Sequence, residues 1–180
     1  MHLTYVQALG EGFPDVCVSS SGNGSVYEDL ILEPGSAALP DKAVLDDFIS
    51  QSVRLQMWWA IQDQRDIRKS AGVKVGQNWF HSDNFSRIQQ MALMMMGASM
   101  PAGIQWKTMT GTFVPMTPLL AAQIFQATAA SDQAVFAAAE AKRVEMLQYA
   151  DPDEYALGTG WPTAFADEYE TVNGVVRPKQ

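Results

Sequence analysis

The sequence predicts an α+β protein: a small N-terminal β-meander, one long central helix, and two β-hairpin-plus-helix units. Three observations lead there. Turn chemistry crowds the first forty residues, a thirty-residue stretch with helical periodicity follows Pro40, and the pattern of short strand pair, cap and helix then occurs twice. The segments expected are 1–38, 39–71, 72–150 and an irregular C-terminal arm over 151–180.

In the first segment, Thr4–Ala8 and Val16–Ser19 are short strand-like runs separated by the breaker cluster Gly10–Pro14. Ser19–Ser25 (SSSGNGS) is turn chemistry, because Asn and Gly tolerate positive φ. Val26–Leu32 supplies a third strand. Three such strands bury little by themselves, so this module is expected to attach to something else.

Pro34–Pro40 reads as a hinge. Pro40 suits a first helical turn, and Asp41, Asp46 and Asp47 favour the positive end of the macrodipole. A helix from about Asp41 to Ser70, stopped by Gly72, would be about 45 Å long. Leu45, Phe48, Ile49, Val53, Met57, Ala60 and Ile61 fall at three- and four-residue steps. Leu55, Trp58 and Trp59 widen that stripe, which suggests packing between copies or around a local core. Arg54, Arg65, Arg68, Lys69 and Lys74 read as a solvated face.

Val73–Val75 and Asn78–His81 flank Gly76–Gln77, a tight hairpin. Ser82 or Asp83 caps the next helix, which Gly97 closes after Met96. Ile104–Met109 and Thr112–Met116 flank Thr110–Gly111, a second hairpin, and Thr117–Pro118 opens another helix. This alanine-rich helix continues to about Tyr149, with Leu120, Ile124, Phe125, Thr128, Val135, Ala138, Ala139, Met146 and Tyr149 on its buried side. Asp151–Pro152 stops it. The arm beyond has Trp161 and Phe165 as anchors, either docked on a neighbour or disordered.

Composition narrows the function classes. Hydrophobic residues make up 47% of the 180 and charged residues 18%, below the roughly 25% of an average soluble domain. Some apolar surface is therefore expected to lie under other subunits. A formal charge of −8 argues against wrapping nucleic acid. No stretch approaches the 18 or so apolar residues of a membrane span. The opening MHLTYVQALGEGFPD lacks a basic start and an apolar run of signal length, so synthesis and retention in the cytoplasm are expected.

His2, His81 and Cys17 have no HxxxH or CxxC spacing, so no metal or other cofactor is expected. Cys17, the sole cysteine, reads as a half-buried strand residue or as a link to its counterpart in another copy. The acidic pairs Glu28–Asp29, Asp46–Asp47 and Asp151–Glu154 lie near turns and helix ends, where acids serve caps rather than glycoside hydrolysis. No GxSxG elbow or phosphate loop occurs, and Gly22–Asn23–Gly24 is a turn. Met91, Met94, Met95, Met96 and Met100 divide between core and surface at helical spacing. Trp79 and Trp106 read as hairpin aromatics covering a core rather than sugar platforms. No catalytic residue is expected.

Several runs carry a family resemblance: Trp79–Asp83, Ser86–Gln90, Leu93–Ala98, Pro101–Phe113, Met116–Thr117, Phe125 and Phe136–Ala141. Their order resembles an uncharacterised domain family of bacteriophage tail-fibre and baseplate proteins, over about Trp79–Met146. Tyr5–Ala8, Gly12–Pro14, Val26–Leu30 and Leu39–Pro40 are similar to the heads of small phage tail proteins. The resemblance implies a virion component without assigned catalytic residues, made in the host cytoplasm. Its partners would be tail, baseplate and fibre proteins, without nucleic acid or membrane. It would assemble as a homo-oligomer, and trimers are common where fibres attach. The competing expectation is a fibre-assembly chaperone that leaves before the virion is complete. Candidate interface residues are Cys17, Val53, Met57, Trp58, Trp59, Ile61, Trp161 and Phe165.

Overall fold

The computed structural model describes residues 3–179. The α+β class and the long central helix hold, and every strand pair is a two-stranded antiparallel ribbon. The chain forms two compact units. One contains the chain up to Ile61 together with Arg143–Leu157, the other Gln62–Lys142 and the chain from Gly158 onward. Two long helices, α2 (Lys42–Lys69) and α4 (Pro118–Met146), run through both.

The first unit opens with a correction. Thr4–Ala8 does not form a strand, because α1 spans Tyr5–Gly12. Thr4 Oγ1 accepts from the Gln7 amide at 3.2 Å, and the Gln7 side chain accepts from the Thr4 amide at 2.8 Å. This reciprocal capping box satisfies two donors that an extended Thr4–Gln7 would leave to a partner strand. The remaining strands, β1 (Val18–Ser20) and β2 (Leu30–Leu32), pair with Ser19 opposite Ile31. The meander is thus a helix followed by a hairpin. Ala8, Leu9, Leu45, Val53, Ile61, Met146 and Tyr155 supply buried side chains. Tyr27 Oη donates to the Pro40 carbonyl at 2.7 Å, tying the strand module to the start of α2.

The second unit follows the expected order closely. β3 (Val73–Val75) pairs with β4 (Asn78–Phe80), α3 runs from Asn84 to Met96, and β5 (Gln105–Lys107) pairs with β6 (Phe113–Pro115). Val73, Phe80, Met116, Ala121 and Ile124 form its core, surrounded by Leu93, Met94, Met100, Trp106 and Leu120. Gly72, which stops α2, has φ +94°, a conformation that favours glycine, and an added Cβ would displace the Met109 side chain packed against it. The turn between β5 and β6 is longer than expected. Thr108, Thr110 and Thr112 fill it with a hydroxyl cluster, and the Thr108 amide donates to the Thr112 carbonyl at 2.8 Å. On α4, Ile124, Thr128, Val135, Ala139 and Met146 are buried as expected, whereas Phe125 is exposed; the helix ends at Met146, short of Tyr149, which is exposed beyond it.

The C-terminal segment is not an irregular arm. It contains α5 (Phe165–Glu168) and a hairpin, β7 (Tyr169–Val172) with β8 (Val175–Pro178). The turn is Asn173–Gly174, with φ +51° and +78°, the two successive positive values of a type I′ turn.

One side chain joins the elements around α3. Arg87 makes a bidentate pair with Asp132 at 2.6 and 2.9 Å, and donates to the Lys69 carbonyl at 2.6 Å and to the Ser82 carbonyl. Ser82 Oγ donates to the same Lys69 carbonyl at 2.8 Å and accepts from the Gly72 amide at 2.9 Å. Ser82 therefore closes the end of α2, and Asp83 caps α3 by accepting from Phe85 and Ser86. Buried Gln90 donates to the His81 carbonyl at 2.9 Å.

Two outcomes follow. Arg87→Leu strands the Asp132 carboxylate and the end of α2, so urea unfolding should lose about 2–3 kcal/mol at unchanged slope. The loss lies below that of a fully buried pair because both side chains are about a quarter exposed, 23% and 27%. Hydrogen bonds from Ser86 hold the Asp83 carboxyl below its ordinary value. That contribution is present above the unfolded carboxyl's pKa and is lost as the pH falls through the folded one. Asp83→Ala should thus cost about 1 kcal/mol near neutrality, and the difference from wild type should vanish in acid.

Candidate functional site

The feature of the second unit that needs a functional account is the outer face of α3. Its inward side is fixed by Asp83, Arg87 and Gln90, and Leu93 and Met94 pack on the core. That orientation turns Phe85, Ile88 and Met95 outward, and they are 70%, 60% and 76% exposed. With Ala92 they follow a three-four-three spacing, the seam pattern of paired helices. Met91 and Met96 widen the stripe, and both are exposed. The methionine cluster therefore divides: Met94 and Met100 line the core, and Met91, Met95 and Met96 do not.

Beside this stripe lies a groove between α3 and α4. It encloses about 240 Å³ and is lined by Ile88, Met91, Phe125 and Ala129, with Gln90 and Thr128 at its base and the Arg87–Asp132 pair along one side. Such a surface can bury apolar side chains, and its single charged pair is already satisfied.

The C-terminal segment makes a second, closed surface. Trp79 is buried and its Nε1 donates to Glu168 at 3.0 Å, while Lys74 pairs with the same carboxylate at 2.8 Å. Phe165 meets Trp79 edge-on at 6.0 Å and stacks on Tyr169 at 4.9 Å. The Phe165 amide donates to the Ala71 carbonyl, and Asp167 pairs with Arg68 at 2.5 Å. Hydrogen bonds from Lys74 and then Trp79 hold the Glu168 carboxyl below its usual range. A segment expected to seek a neighbour is thus docked on its own unit.

The sequence-expected interface residues are scattered. Val53 and Ile61 are 2% and 0% exposed and belong to the core, because their eight-residue spacing keeps them on the inner side of α2. Met57 and Trp58 are half-buried, and the Arg143 guanidinium sits over the Trp58 ring at 4.7 Å. Trp59 is exposed, and so is Cys17, just before β1. Trp161 lies under the Lys142 ammonium at 5.2 Å, and Phe165 is held by the aromatic contacts above. The basic residues expected to be solvated are largely engaged: Arg65 with Asp66, Arg68 with Asp167, Lys74 with Glu168.

Three of the acids considered for catalysis, Asp46, Asp47 and Asp151, have structural partners. Asp46 accepts from Tyr5 Oη at 2.6 Å and from Lys42 at 2.9 Å, and these bonds lower its pKa. Asp47 accepts from Gln51, and Asp151 accepts from the Asp153 amide. Asp46 and Asp151 line an open hollow of about 370 Å³ in the first unit. Among the described residues no group of three or more His, Cys, Asp or Glu could hold a metal, and His2 lies outside them. No helix among them is long and apolar enough to cross a membrane.

Sequence reasoning missed the α3 stripe, which was legible as Phe85, Ile88, Ala92 and Met95 at heptad spacing. It also missed the C-terminal hairpin, although Asn173–Gly174 between apolar residues is a strong hairpin signal.

Phe165→Ala should release the C-terminal segment without unfolding the unit. Losing two ring contacts costs about 1–3 kcal/mol, and amide exchange should accelerate over 165–178 while the protection of α3 and α4 persists.

No curated protein and no solved structure matches this chain. A family model described as a domain of unknown function, DUF4376, matches residues 52–159. That span is more than half of the sequence and encloses α3, the groove and both hairpins before α4; the chain belongs to the DUF4376 family.

Proposed function

We propose that this chain is a structural component of a bacteriophage tail, at the baseplate or tail-fibre attachment, acting by protein–protein assembly and not by catalysis. The observation that carries the reading is the outer face of α3. It displays large apolar side chains from a helix whose inner side is rigidly held, which is the arrangement of a surface meant to be covered. The tail assignment rests on the resemblance of Trp79–Met146 to a domain recurring in tail-fibre and baseplate proteins. Acids drawn into caps and ion pairs fit a mechanical role, in which apolar burial joins neighbouring tail proteins, the fibre and other copies of this chain. The chain would be made in the host cytoplasm and end in the virion tail.

The same exposed stripe would serve a fibre-assembly chaperone that masks apolar surface and then departs. Mass spectrometry of purified virions separates the two readings. Stoichiometric presence of the chain is the expected result, and its absence from particles that contain the fibre would overturn the structural assignment in favour of the chaperone.

A further inference from the structure

We propose that the outer face of α3 is a self-association surface, through which two copies of this chain pair about a two-fold axis with their α3 seams in contact. The proposal deepens the assembly reading by naming the surface and its occupant, and it can fail independently of the tail assignment.

Charge selects a second copy. The chain carries a net charge of −8, so most contacts between identical copies bring acids together and repel. Over Asn84–Met96 the only charged residue is Arg87, and over Pro118–Ala139 the only one is Asp132. These two neutralise each other in a bidentate pair. The α3 seam and the adjoining part of α4 therefore form a face on which two acidic chains can meet without opposing charges.

Area and spacing agree. Phe85, Ile88, Met91, Met95, Met96 and Phe125 are between 41% and 76% exposed. Side chains of this size leave on the order of 600–700 Å² of apolar surface, approaching the roughly 800 Å² per partner of a standard interface. That is at or above the largest patch of a typical monomer, about 300–600 Å². The three-four-three seam from Phe85 to Met95 suits a helix packed along a helix, with small Ala92 allowing close approach. An isologous pair also places the groove by Phe125 and Ala129 where a partner's seam residue can enter it.

Phe136, Trp59 and Leu55 lack this combination. Phe136 is covered by the Arg65 and Lys69 cations at 5.0 and 5.1 Å. Trp59 and Leu55 lie on a helix carrying Arg54 and Asp63 nearby in sequence.

The test is sedimentation of the purified full chain. Wild type should sediment as a dimer or a multiple of it. Ile88→Glu sets like charges across the axis and should weaken association about a hundred-fold, and Met95→Lys should also weaken it. Both side chains are exposed, so the circular-dichroism spectra should stay those of wild type, and melting temperatures should fall only by the stabilisation that pairing adds at the same concentration. Ile88→Glu mixed with Ile88→Lys should restore the pair that neither forms alone. A monomeric wild type would overturn the proposal and leave the face to a different protein. Oligomers indifferent to both substitutions would overturn it too, by placing self-association elsewhere. Presence of a monomeric chain in virions would uphold the tail assignment while removing this inference.

Discussion

The guanidinium of Arg87 holds together the part of the molecule that the functional reading depends on. It satisfies carbonyls at Lys69 and Ser82 and grips the Asp132 carboxylate with both arms. The carbonyls at the end of a helix have no partner within it and need donors from elsewhere. Here Arg87 and Ser82 supply them for α2, and the same arginine links α3 to α4. Because the bonds are charge-assisted and bidentate, geometry is specified along with energy. Lysine could supply the charge but not the planar fork that reaches several acceptors at once.

That constraint explains why α3 is apolar on two sides. Its inner side contributes Leu93 and Met94 to a small core built from two ribbons and a helix. Its outer side would normally be polar on a surface helix, yet it carries Phe85, Ile88 and Met95. A helix with an apolar outer stripe would be free to rotate and bury it. Asp83 at the cap, Gln90 on the His81 carbonyl and Arg87 on three partners resist that rotation. Polar bonds on the inner side thus keep the apolar stripe on display.

The C-terminal segment shows the opposite disposition. Its aromatic residues, the expected anchors for a neighbour, are spent within the unit. Phe165 sits between Trp79 and Tyr169, and Glu168 gathers the Trp79 and Lys74 donors. Apolar side chains alone did not distinguish these two destinies, since Phe85 and Phe165 are the same residue type near helix starts. The difference lies in what surrounds each ring: Trp79 and Tyr169 for Phe165, and solvent for Phe85.

Local chemistry was readable in the sequence wherever backbone stereochemistry forces a choice. Gly72 and Gly97 stop helices at positive φ, Thr117–Pro118 starts one, and Gly76 turns the first hairpin. The α+β class, the long central helix and the hairpin–helix order all follow from such signals. Short segments were harder, because five residues such as Thr4–Ala8 fit a strand until the Thr4–Gln7 capping box is recognised as a helix start. The sequence by itself determined the element boundaries marked by a cap, glycine or proline, such as Gly72, Asp83, Gly97 and Pro118, since these act within a few residues. Only the tertiary structure decided which apolar stripe is core and which is surface. Val53 and Ile61 went inward, and Ile88 and Met95 outward, because burial depends on what the rest of the chain packs against each face.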